Sequence, residues 1–199
     1  MDESDRFFAF KLGRTNNQSD PSVVSSSVTF GQLDSSIVVA SNGTNQLTYF
    51  PVFQTFSSPY DYWKLPIFNL TIDGLLLPLS PSLVPGASSP IAILDTGTTL
   101  ILGPTQDVNA FWNSIGTGGS TRYDARMNLW EVRCDRAVDV RFALGQGDGS
   151  REYAVHPEDI SWAEGRQKDG WCMGGVQIND GVRGYIHWLW GVGSRRACR

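Results

Sequence analysis

The apolar stretches of this 199-residue chain are short and repeatedly broken, and that pattern decides its fold class. Its 21 glycines and 10 prolines are scattered along the whole length. Gly and Pro between short apolar runs are turn signals, so the chain is expected to be all-β with one or two short helices. Strand-like runs fall at 7–12, 28–30, 46–52, 62–72, 75–79, 91–94, 129–134, 138–144, 152–156, 171–178 and 185–190. Asp73-Gly74, between two of them, is a hairpin signal. Residues 145–149 and Asn179-Asp180-Gly181 are turn-rich breaks. One segment has helical spacing: Pro104 stands at a first turn, Val108, Phe111, Trp112 and Ile115 follow, and Gly116 closes it.

Composition narrows the function classes. Hydrophobic residues make up 41% and charged residues 18%, which fits a folded core rather than a disordered chain. Net charge is -4 with no basic stripe, so no nucleic-acid partner is expected. No apolar run approaches the ~18 residues of a membrane span. The first residues, Met1 to Asp5, are acidic and contain no signal-peptide core. Against that, Asn17-Gln18-Ser19, Asn42-Gly43-Thr44 and Asn69-Leu70-Thr71 fit the N-glycosylation triplet, a hint of a secretory origin. Cys134, Cys172 and Cys198, with His156 and His187, match no metal-ligand spacing, so no metal is expected. An odd cysteine count leaves one thiol over if a disulfide forms. Residues 145–149 open no helix and read as a hairpin turn rather than a phosphate loop.

The chemistry is concentrated in residues 91–103, Ile-Ala-Ile-Leu-Asp-Thr-Gly-Thr-Thr-Leu-Ile-Leu-Gly. A short, wholly apolar strand delivers the carboxylate of Asp95 at its end. Gly97 permits close approach of backbone, because it has no Cβ. Thr96 and Thr98 carry hydroxyls able to hold the carboxylate or the neighbouring backbone. A carboxylate held in this way suits water activation. The bare tripeptide Asp-Thr-Gly is an ordinary turn sequence; the flanking apolar runs give the longer pattern its specificity.

That stretch resembles the active-site loop in the second lobe of pepsin-like aspartic endopeptidases. Other segments resemble the same lobe in the same order. Residues 7–12 are similar to its opening strand, and 28–36 to its Phe-Gly-Gly-x-Asp segment, with Gln32 in place of the second glycine. Residues 62–74 are similar to its Tyr-Trp strand and hairpin, and 188–191 to its late Trp-Ile-Leu-Gly strand. The resemblance runs over about residues 5–191 and implies an acid-protease (pepsin-like) fold, present as a single C-terminal lobe across 1–199. Residues 192–199 are basic and depart from the family. The resemblance implies that Asp95 is the second catalytic aspartate. It implies that Thr96 sits between lobes and that Thr98 steadies the outer carboxylate oxygen. It makes Tyr62, Trp63, Ile93, Gly97 and Thr99 candidates in or near the substrate cleft, and Cys134–Cys172 a disulfide. Tyr62 and Trp63 read equally as core aromatics, and the core is the favoured place for Trp63 because aromatic side chains mostly serve packing.

The implied activity is hydrolysis of peptide or protein substrates by a water held between two aspartates, without a cofactor, in a secreted or vacuolar setting. Two close carboxylates share one proton, so one pKa rises while the other falls; pepsin itself is the standing example. Only one Asp-Thr-Gly is present here. The expectation is therefore one lobe lacking its N-terminal partner, inactive alone, with Asp95 titrating as an ordinary, partly exposed carboxyl. Two rivals are a non-catalytic lobe binding protein or glycan, and a homodimeric protease in which each chain gives one aspartate.

Overall fold

The computed structural model describes residues 7–11, 26–32, 49–55, 61–162 and 169–180, and the backbone of 188–191. The chain divides into two compact units, residues 1–49 with 193–199, and residues 50–192. In the first unit, β1 (Phe8–Lys11) and β2 (Ser27–Phe30) form an antiparallel pair with Phe8 opposite Phe30 and Phe10 opposite Val28. These four apolar side chains are exposed.

The second unit opens with β3 (Lys64–Ile72), where local sequence and packing meet most clearly. Leu65 and Ile67 are buried, and so are Leu70 and Ile72, which breaks the period of two. The cause is a bulge: register against β9 (Val140–Leu144) shifts between Ile67 and Asn69. One extra residue resets the alternation, so both halves of the strand bury their large aliphatic side chains. Pro66 would remove a donor from a central strand, but the β3–β9 ladder starts one residue later, at Ile67 opposite Leu144. The hairpin at Asp73-Gly74 forms as expected, with φ of 49° and 78°, and returns as the short β4 (Leu75–Leu76). Residues 49–52 are not a strand.

The chain then forms β5 (Ile91–Asp95), β6 (Ile101–Gly103) and helix α1 (Thr105–Ile115). Pro104 caps α1 in an extended conformation, and the Gly116 N–H bonds the Trp112 carbonyl at its far end. Strands β7 (Thr121–Asp124), β8 (Leu129–Arg133), β9 and β10 (Arg151–Val155) follow. A single-turn helix α2 (Pro157–Ile160) leads into β11 (Ser161–Trp162). The last described elements are β12 (Trp171–Gly174), β13 (Val176–Ile178) and β14 (Trp188–Gly191). An eight-stranded mixed sheet runs β10-β9-β3-β5-β14-β6-β13 with β4 beside β3, and a four-stranded sheet runs β11-β12-β8-β7. The turn-rich break at 145–149 is the β9–β10 hairpin connection.

Two sheets and α1 share one core. Val108, Phe111, Trp112 and Ile115 bury the inner face of α1, as their spacing predicts. Trp112 is fully buried and donates its indole N–H to the Val176 carbonyl at 2.8 Å. Gln177, 7% exposed, ties the sheets together. Its Oε1 accepts the Trp130 N–H at 2.8 Å, and its Nε2 donates to the carbonyls of Trp130 and Gly174 at 2.8 and 2.7 Å. The side chain thus stands in for a neighbouring strand at Trp130. Gly175 is where the 171–178 run steps from one sheet to the other. A Cβ there would lie 1.5 Å from the Asp159 carbonyl oxygen, so only glycine fits at that step. Cys134 and Cys172 form a disulfide with a Cα–Cα distance of 5.0 Å and a separation of 38 residues. Closing a loop of that size stabilises by about 4 kcal/mol in the chain-entropy account. Cys198 lies outside the described residues. Replacing Gln177 by Leu should cost about 2–4 kcal/mol, because the Trp130 N–H and carbonyl lose their partners in the core. Urea unfolding of the two proteins measures this, and an unchanged midpoint would contradict the role given to the amide.

Candidate active site

Asp95 is placed by strand geometry before any hydrogen bond is considered. Along β5, Ala92 and Leu94 belong to the main core, so Ile91, Ile93 and Asp95 point to the opposite face. β5 pairs with β3 on one edge and runs parallel to β14 on the other, where Asp95 is in register with Gly191. β14 also pairs antiparallel with β6. The loop 96–100 therefore bridges two strands that grip a third between them.

The loop then fixes the carboxylate. Asp95 Oδ1 accepts the Gly97 N–H at 2.8 Å, and Oδ2 accepts the Thr98 hydroxyl at 2.5 Å. Both donors favour the ionised form. The Thr98 hydroxyl is the larger cause, the Gly97 N–H the second, and partial burial opposes them; together they lower the Asp95 pKa below its ordinary value. The expectation of an ordinary titration is thus corrected: the loop itself supplies the shift. Gly97 matters sterically as well, since a Cβ there would stand 3.2 Å from Asp95 Oδ1 and crowd the oxygen that its N–H holds.

The other residues named from the sequence fall in different places. Thr96, Gly97 and Thr99 are exposed on the loop, and Thr98 is half-buried. Ile93 is only 3% exposed, held between two neighbouring strands, and forms no open surface. Trp63, expected in the core, is 57% exposed, because the core-facing half of β3 begins at Leu65. Tyr62 is exposed and precedes the strand. The β3–β5 ladder extends to a Leu94 N–H to Trp63 carbonyl bond of 3.0 Å, and the chain bends at Asp61 and Tyr62, where the Tyr62 carbonyl accepts the Lys64 N–H at 2.9 Å. Asn69 lies half-buried inside β3, opposite Ala143; Asn17 and Asn42 lie outside the described residues.

An ion pair beside the site is not evident from the sequence. Lys64 is 2% exposed and opposite Ile93, hence on the face that carries Asp95. Its ammonium meets Asp61 Oδ1 at 2.6 Å, and the same oxygen accepts the Tyr62 N–H at 2.9 Å. Asp61 so fixes the turn that carries Tyr62. The one available signal is a lysine at the head of the apolar run Leu65-Pro66-Ile67.

Comparison with known proteins agrees with this geometry. The family model described as eukaryotic aspartyl protease matches residues 4–187. Cathepsin E-A of Xenopus laevis is 32% identical over 173 residues, covering 85% of this chain and 35% of its own length. Chymosin of Callithrix jacchus is 24% identical over 161 residues, with coverages of 81% and 35%. Major aspartyl peptidase 1 of Cryptococcus neoformans var. grubii is 26% identical over 137 residues, with coverages of 68% and 27%. The chain spans about a quarter to a third of the length of these relatives. The crystal structure of basic 7S globulin from soybean superposes with a TM-score of 0.52 at 15% identity, over 71% of this chain and 37% of that one, which shows a shared pepsin-like fold. With its Asp-Thr-Gly loop at a strand end and a family match along most of its length, the chain belongs to the eukaryotic aspartyl protease family.

Proposed function

We propose that this chain contributes one of the two carboxylates of an aspartic endopeptidase site, as the C-terminal lobe of that enzyme. The observation that carries the reading is the doubly held Asp95 carboxylate on an otherwise exposed loop. Peptide hydrolysis needs a base to take a proton from the attacking water and an acid to protonate the carbonyl oxygen as the tetrahedral intermediate forms. Asp95, kept ionised by Thr98 and Gly97, suits the base. A second aspartate close by would hold the shared proton and act as the acid, since two like charges at short range do not both ionise. Among the described residues no charged group contributes to the Asp95 shift, so the acid is assigned to an N-terminal lobe. The substrate is a peptide or protein in extended form crossing the loop near Tyr62. No cofactor enters this scheme. The disulfide favours an oxidising compartment, in keeping with a secreted or vacuolar protein.

The chain alone should leave a peptide substrate uncut at mildly acid pH. Joined in one polypeptide to the upstream half of a relative such as cathepsin E-A, it should hydrolyse that substrate, and Asp95→Asn should lower the rate roughly 10²–10⁴-fold. Cleavage unaffected by Asp95→Asn would contradict the assignment.

The loop also predicts a pH effect. The Asp95 pKa is lower in the folded chain than in the unfolded one. Its ionised form therefore stabilises the fold above the ordinary carboxylate range, and that stabilisation is lost as pH falls through the lowered value. Thr98→Val removes the larger cause and should flatten the acid-side fall in the urea midpoint. Curves that stay parallel for the two proteins would count against the hydrogen bond.

A further inference from the structure

Away from Asp95, the outer face of α1, the β7–β8 hairpin and the end of β13 enclose a groove of about 730 Å³. That volume lies within the ~300–1,000 Å³ usual for small-ligand sites. Its walls are built of four asparagines, the hydroxyls of Thr105 and Tyr123, the Trp130 ring, Ile178 and one carboxylate, Asp180, with no Lys or Arg among the described lining residues. We propose that this groove binds a neutral oligosaccharide.

What decides the ligand class is which polar groups are already committed. Asn109 and Asn113 stand one helical turn apart on α1, so both line the same wall. Asn109 Oδ1 accepts the Trp130 indole N–H at 3.2 Å, and Asn128 Oδ1 accepts the Tyr123 hydroxyl. Each amide is thereby oriented through its oxygen and keeps its NH₂ group as a donor. The Tyr123 oxygen retains lone pairs as acceptors. The carboxylate of Asp180 is taken up by Thr105, from the backbone N–H at 3.0 Å and the hydroxyl at 2.5 Å. Among the described residues no cationic side chain lines the groove to attract a phosphate or carboxylate, and few apolar atoms are offered to a lipid. What remains is a set of fixed donors and acceptors beside an aromatic ring, which matches hydroxyls displayed around the apolar C–H face of a sugar.

The site is also stiff, which limits the ordering that a ligand must impose. Tyr123 is 40% exposed, and its ring lies 5.5 Å from that of Trp130. Trp130 stacks in turn on buried Trp112 at 6.3 Å. Asn128 sits at φ 53° in the hairpin turn, a conformation that Asn tolerates well, and so holds its amide at the groove rim.

The test is calorimetric titration of the whole chain with maltohexaose, cellohexaose and mannohexaose in turn. Saturable binding of at least one is expected. Asn113→Ala, at an exposed helix position, should weaken it roughly three- to tenfold, the value of one neutral hydrogen bond. Tyr123→Phe keeps the ring, removes the hydroxyl and should weaken binding similarly; it stands in if the first variant unfolds. Asp95→Asn should leave affinity unchanged, which separates this site from the proteolytic one. No saturable binding of any of the three glycans would overturn the proposal, as would binding that both groove variants leave intact.

Discussion

The held carboxylate of Asp95 depends on one strand being gripped between two others. β14 lies between β5 and β6, parallel to the first and antiparallel to the second. The loop that joins β5 to β6 must therefore cross the end of β14 and cannot close as a tight hairpin. Residues 96–100 span that gap, and their fixed ends let Gly97 and Thr98 meet the two oxygens of Asp95. A carboxylate on a loose loop would lose those donors to water for part of the time, and its lowered pKa with them. Local chemistry at the site is thus a result of sheet order.

The same use of fixed polar groups appears deeper in the fold. Gln177 completes the hydrogen bonding of Trp130, whose indole then orients Asn109 on α1. Trp112 anchors α1 to β13 through the Val176 carbonyl. One chain of contacts thus runs from buried amide to stacked indoles to an exposed groove. Asp107, at the start of α1, is buried and accepts from both the backbone N–H and the hydroxyl of Ser80, which binds the loop after β4 to the helix. These buried polar groups specify how the layers meet, whereas apolar burial alone would permit sliding.

Much of this is legible in the sequence, for identifiable reasons. β5, α1 and the Asp73-Gly74 hairpin follow from apolar spacing and turn chemistry, which are local. The carboxylate loop is legible because apolar runs flank its Asp-Thr-Gly on both sides. What local patterns do not show are effects of neighbours. β7, Thr-Arg-Tyr-Asp, is polar on both faces and becomes a strand only because β8 offers a ladder. The bulge after Ile67 and the step at Gly175 depend on register and on a carbonyl from α2. Ile93 and Trp63 exchange their expected environments because burial along β3 and β5 is set by flanking strands rather than by residue type. The depressed pKa of Asp95 is not legible even with its donors in view, since only geometry shows that both oxygens are engaged at once.

Carbon-detected NMR titration of the Asp95 carboxyl, in the chain alone and after joining the upstream lobe, tests the central claim most directly. A single step below the ordinary carboxylate range is predicted for the chain alone. Two coupled steps, one of them raised, are predicted once a second aspartate stands beside it. A raised value in the isolated chain, or the same single step in both states, would contradict that claim.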